Sequence, residues 1–119
     1  MALSVTQRID DGFAILQLVG SLTLGPSLSN LRETAKQVLA GGKLSGLILQ
    51  VDGVTGVDSA GLGELTIVYG FANRQRLGMR LVGSPPSLLK VLDMTRLEEL
   101  LRPVKDMQSA KQELLDNKT

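Results

Sequence analysis

The 119-residue chain has no histidine, no cysteine and no tryptophan. Without histidine, Ser-His-Asp chemistry, imidazole metal ligation and the usual general base near neutral pH are closed to it. Without cysteine there are no disulfides, thiolate metal sites or thiol nucleophiles, which fits a reducing cytoplasm. Phe13, Tyr69 and Phe71 are the only aromatics, so the core has to be built from Leu, Val and Ile. An excess of charge of either sign is also missing, with a formal net charge of +1. The nearest approach to a basic patch, Arg74, Arg76 and Arg80, lacks interleaved aromatics and gives no nucleic-acid footprint. No basic-then-apolar leader opens the chain, and no apolar run approaches the roughly 18 residues of a membrane span. These absences predict a cytoplasmic domain without cofactor, metal, membrane insertion or catalysis of its own.

What is present is ordinary for a globular protein, with 43% hydrophobic and 21% charged residues. The length suits a single domain, residues 1–119, with a real core. Leu3 to Ile9 alternates as a strand, Asp10-Asp11-Gly12 signals a turn, and Phe13 to Val19 reads as the hairpin partner. Gly20 to Gly25 reads as a loop carrying hydroxyls at Ser21 and Thr23. Leu28, Leu31, Ala35, Val38 and Leu39 recur at helical spacing from Ser27 until Gly41-Gly42. Gly46 to Asp52 is apolar on both faces, as a strand buried between layers would be.

A second, long helix follows to about Leu77, and Met79 to Gly83 is a short strand. Pro86 suits the first turn of a helix running from Ser87 to about Met94. Leu97 to Val104 reads either as a helical turn cut by Pro103 or as a short edge strand. A last helix spans Ser109 to Asp116, and the final three residues are expected to fray. Helices alternating with strands after a first hairpin predict an α/β domain, a mixed sheet of 4–5 strands with helices packed on it.

The chemistry-bearing stretch is Asp58-Ser59-Ala60-Gly61-Leu62-Gly63-Glu64, where the central strand turns into the second helix. Free N–H groups and the positive end of the helix dipole gather at such a point. Ser59 there can cap the helix, act as a nucleophile or accept a phosphate, and Asp58 is itself a fair cap. The nucleophile reading lacks both Gly-x-Ser-x-Gly and a base. Gly61 and Gly63 make only a lone Gly-x-Gly, with no Gly-Lys-Ser/Thr to bind a nucleotide.

Asp58-Ser59-Ala60-Gly61-Leu62-Gly63 resembles the Asp-Ser-(Ser/Thr/Ala)-Gly-Leu-Gly signature of the STAS domains, the family of bacterial anti-sigma factor antagonists. The similarity covers nearly the whole chain. It takes in the early hairpin ending at Gly20, the Leu47-to-Asp52 strand and the Gly78-to-Gly83 strand. Leu92-Asp93-Met94-Thr95-Arg96-Leu97 resembles the family segment F-D-(I/M)-(T/S)-G-L, with Arg96 where a glycine is common. The resemblance implies a mostly parallel sheet with helices mainly on one face. It also implies phosphorylation of Ser59 by an ATP-dependent anti-sigma serine kinase of the histidine-kinase-like ATPase type. The unphosphorylated form would bind that kinase, and a serine phosphatase would reset the switch. Where the family usually has Gly-Glu-(Leu/Ile)-Asp, this chain has Gly20-Ser21-Leu22-Thr23.

On the second helix, at about 100° per residue, Leu62, Leu65, Tyr69 and Ala72 share one face and should meet the sheet. Glu64, Ile67, Val68 and Phe71 then fall on the other side or its flank. They form a candidate surface for the partner or for a homodimer.

Overall fold

A computed structural model describes residues 1–116. The elements run β1 (Ser4–Asp10), β2 (Phe13–Leu22), α1 (Ser29–Leu39), β3 (Gly46–Val57), α2 (Ser59–Arg74) and β4 (Met79–Val82). They continue through α3 (Pro86–Thr95), α4 (Glu98–Leu101) and β5 (Pro103–Val104) to α5 (Met107–Asp116). The five strands form one sheet in the order β1-β2-β3-β4-β5. Only β1 and β2 are antiparallel; β2, β3, β4 and β5 run parallel, each joined to the next through helix. The mixed α/β sheet is the one expected from the order of elements, and its mostly parallel run is what the family resemblance implies.

Alternation along the strands divides the core in two. Ala14, Leu16, Leu18, Leu22, Leu47, Leu49 and Leu81 point to one face, where buried residues of α1, α2, α3 and α4 meet them. Phe13, Ile15, Ile48 and Val82 point to the other, where only Ala110 and Leu114 of α5 join them in the core. Helices therefore lie mainly on one face. Burying aliphatic side chains on both sides is what a central parallel strand requires. Ion pairs hold α5 in place from two sides. Arg80 Nε, on a buried side chain, donates to Glu113 Oε1 at 2.8 Å. Lys111 Nζ reaches Asp10 Oδ2 at 2.7 Å and Asp11 Oδ2 at 3.0 Å in the hairpin turn.

Helix α2 ends at Arg74, short of Leu77, and α5 begins at Met107, ahead of Ser109; three further differences from the sequence reading concern the strands. Strand β2 continues through Gly20 to Leu22, so Ser21 and Leu22 are strand and not loop. Gly20 does not break it, because its φ of +112° lets the chain pass the backbone of Ala2; a Cβ there would lie 2.2 Å from the Ala2 carbonyl oxygen. Strand β3 runs on past Asp52 to Val57, paired with β2 to its end. Leu97 to Val104 is both of its alternatives in succession, a single turn α4 and the two-residue strand β5. The expected fraying at residues 117–119 lies outside the described residues.

Arg96 ends α3 in the left-handed region, with φ 60° and ψ 25°, and its N–H returns to the carbonyls of Leu92 and Asp93. A side chain at this position works against local sterics. Arg96→Gly is expected to raise stability by about 0.5–1 kcal/mol, the steric relief being partly offset by a more flexible unfolded chain. Urea unfolding measures it, and a loss of stability would mean that the arginine side chain makes a favourable contact.

Candidate functional site

The end of β3 and the start of α2 are joined by one residue. Asp58 has extended backbone angles, φ −128° and ψ −175°, and stands as the N-cap of α2. Its Oδ1 accepts from Gly61 N at 2.9 Å, the geometry of a capping carboxylate. Its Oδ2 accepts from Leu24 N at 3.0 Å, which ties the β2–α1 loop to the same point. Its own N–H donates to the Leu22 carbonyl at 3.1 Å. One side chain thus fixes the helix start and the neighbouring loop together.

The cap is therefore Asp58 and not Ser59. Ser59 is the first residue within α2 and is exposed. Its hydroxyl stands beside the dipole's positive end with no structural task in capping. Ala60 and Gly63 are half-buried, while Gly61 and Leu62 are buried. Ser21 Oγ lies 3.5 Å from Thr55 Oγ1 on the adjacent strand, and Thr23 is half-buried in the loop that Asp58 holds. Leu24, next to Thr23, is 81% exposed. The sequence reading missed it, although an apolar residue before Gly25-Pro26 is where a turn leaves a side chain outward.

Capping lowers the pKa of Asp58. The Leu24 N–H and then the Gly61 N–H favour its ionised form and hold it below the ordinary carboxylate range. A depressed folded-state pKa contributes stability that is present above the unfolded value of about 3.9 and is lost as pH falls through the folded one. Asp58→Asn keeps a cap and loses the titration. Its thermal midpoint is expected to fall less between pH 5 and pH 3 than that of the parent chain. Parallel midpoint curves would remove Asp58 from the acid response.

The helix face proposed for partners is smaller than the spacing predicts. Val68 is fully buried and Glu64 is 7% exposed, so neither is available on the surface. The reason is α1, which lies against α2 and widens the buried arc beyond the sheet-facing stripe. Arg32 of α1 makes a two-point ion pair with Glu64, its Nε lying 3.0 Å from Oε2 and its Nη2 meeting Oε1. Leu62, Leu65 and Ala72 are buried as expected, and Tyr69 is half-buried. Phe71 is also half-buried, with Lys36 Nζ 5.6 Å and Arg74 Cζ 5.4 Å from its ring centroid. Ile67, flanked by Ala60, Gly63 and Gly70, remains partly open along α2.

Among the described residues no group of three or more His, Cys, Asp or Glu is placed to hold a metal, and no helix is long and apolar enough to cross a membrane. A mixed, mostly parallel sheet with helices mainly on one face carries this site, with an exposed serine at a capped helix start. The chain belongs to the STAS domain family, which it matches over residues 4–110. No curated protein sequence matches it. Among solved structures it is similar to an anti-sigma factor antagonist from Mycobacterium paratuberculosis, with a TM-score of 0.76 and 17% identity over 95% of this chain and 94% of that one. A sulfate transporter family protein from Wolinella succinogenes gives a TM-score of 0.72 and 18% identity over 92% and 93%. The phosphorylated form of the Bacillus cell fate determinant SpoIIAA gives 0.66 and 15% over 91% and 96%. At these identities the likeness is one of fold.

Proposed function

We propose that this domain is an anti-sigma factor antagonist that binds an anti-sigma kinase and is switched off by phosphorylation of Ser59. The observation that carries the reading is the division of labour at the start of α2. Asp58 takes the cap, and Ser59 stands exposed one residue later. The kinase would be an ATP-dependent serine kinase of the histidine-kinase-like ATPase type, with a serine phosphatase as the resetting enzyme, all in the cytoplasm. Leu24, in the loop tied to Asp58, and Ala60, Gly63 and Ile67, further along α2, offer small or apolar surface on which a docked protein could rest.

A phosphate on Ser59 would add about −1.5 to −2 charge. The helix start favours that charge and the Asp58 carboxylate opposes it, so the fold itself is nearly indifferent. A partner pressed against the same atoms is not. The test is incubation with candidate anti-sigma kinases of the source organism and ATP, followed by mass spectrometry, with Ser59→Ala as control. Phosphate on Ser59 that abolishes kinase binding is the expected result. A stable complex with a non-kinase protein, and no phosphate with any kinase, would reject it.

A second reading is a non-switching interaction subunit in a sensory or transporter-associated assembly. The Ser21–Thr55 hydroxyl pair favours it, since this is where the family usually carries an acid. The same incubation separates the two.

A further inference from the structure

We propose that the free edge of β1 pairs antiparallel with β1 of a second copy, making one continuous ten-stranded sheet about a two-fold axis at Gln7. The two edges of the sheet are not alike. The β5 edge is two residues long and begins with Pro103, which blunts it. The β1 edge is seven residues long, contains no proline, and is exposed along its length apart from half-buried Val5.

The hairpin register says which backbone groups are free. Asp10 pairs with Phe13 across the turn residues Asp11 and Gly12, whose φ angles are +54° and +83°. The residues flanking such a two-residue turn are hydrogen-bonded to each other, and the pattern alternates from there. Asp10, Arg8, Thr6 and Ser4 therefore turn their N–H and C=O towards β2. Val5, Gln7 and Ile9 turn theirs outward.

Only one register uses all three outward residues. Centred on Gln7, it sets Gln7 against Gln7 of the second copy and Val5 against Ile9 twice. Val5 packs on the larger core, and Ile9 lies on the same face by alternation, where it is 56% exposed. Pairing would cover both Ile9 side chains with valine, an apolar cross-strand contact. On the opposite face it sets Ser4 against Asp10 and Thr6 against Arg8, with no like charges directly opposed. Sliding to a centre at Arg8 sets two arginines face to face, which is unfavourable. Sliding to a centre at Thr6 calls on Leu3, whose N–H and C=O are already given to Ser27 Oγ at 2.9 Å and Asn30 Nδ2 at 3.3 Å. The ladder is thus self-complementary and fixed in register. Because β2 and α1 separate β1 from α2, the Ser59 end stays open in both copies.

Sedimentation of the full chain should show a concentration-dependent dimer. Gln7→Pro removes an outward N–H without touching the β1–β2 ladder. It should weaken the dimer at least about 100-fold, from two lost central hydrogen bonds and two stranded carbonyls, with unchanged circular dichroism. Since the chain has no cysteine, Gln7→Cys should cross-link to itself with a short bismaleimide. Ser4→Cys should not, its copies lying roughly 20 Å apart in this register. A parent chain that is monomeric at about 1 mM overturns the proposal, leaving the edge to another protein's strand. A dimer that survives Gln7→Pro, or that cross-links through Ser4→Cys and not Gln7→Cys, overturns it equally. Should Gln7→Pro fail to fold, the cysteine pair alone decides.

Discussion

Replacing Gly61 with alanine is expected to destabilise the domain by at least about 3 kcal/mol. The added Cβ would lie 1.9 Å from the Leu22 carbonyl oxygen, 2.6 Å from its carbon and 2.9 Å from the Leu22 Cβ. Leu22 cannot retreat. It is fully buried, it pairs with Val57 at the end of the β2–β3 ladder, and its carbonyl accepts from Asp58 N. The start of α2 would have to lift away instead, breaking the Asp58 cap and its hold on Leu24. For a domain of this size the loss corresponds to a fall in Tm of about 10 °C or more. Gly63→Ala is the control, since a Cβ there meets nothing within 4 Å. It should gain about 0.5–1 kcal/mol from helix propensity. If both variants melt alike, the close approach of α2 to β2 is wrong.

Ser59→Glu is expected to weaken binding to the proposed kinase by about 100-fold or more while leaving stability within about 0.5 kcal/mol. The stability half follows from opposing effects at one helix start. A carboxylate gains roughly 0.3–1 kcal/mol from the dipole and free N–H groups, and the neighbouring Asp58 cancels much of it. The binding half follows from desolvation. An anion buried against an apolar or acidic partner surface costs several kcal/mol unless it is paired there. Calorimetry on the complex and thermal melts on the free domain measure the two halves separately. Equal affinities for parent and variant would mean that Ser59 lies outside the contact, whatever its phosphorylation state. A large loss of stability would mean that Ser59 has a structural task after all.

The two glycines show how far the sequence could be read. Gly61 and Gly63 stand two apart in one motif, and nothing in their spacing tells them apart. Only the depth at which α2 docks on β2 makes the first indispensable and the second replaceable. The strand and helix order, the two-sided burial of β3 and the placing of Ser59 at a helix start were legible because they depend on local periodicity. The burial of Glu64 and Val68 was not, because a helical projection of α2 does not contain the second helix lying across its flank. Nor was the passage of β2 through Gly20, which depends on the backbone of Ala2 crossing close by. The choice between Asp58 and Ser59 as cap was open in the sequence and is decided by hydrogen bonds to Gly61 and Leu24.

The clamp between Lys111 and the Asp10–Asp11 turn joins residues a hundred positions apart. During synthesis the first hairpin leaves the ribosome long before α5 exists. Until α5 follows, Phe13, Ile15, Ile48 and Val82 form an uncovered apolar strip on an otherwise assembled sheet. A nascent chain paused before residue 107 would leave that strip to solvent, the kind of exposed apolar surface on which aggregation starts, and α5 is the helix that closes it.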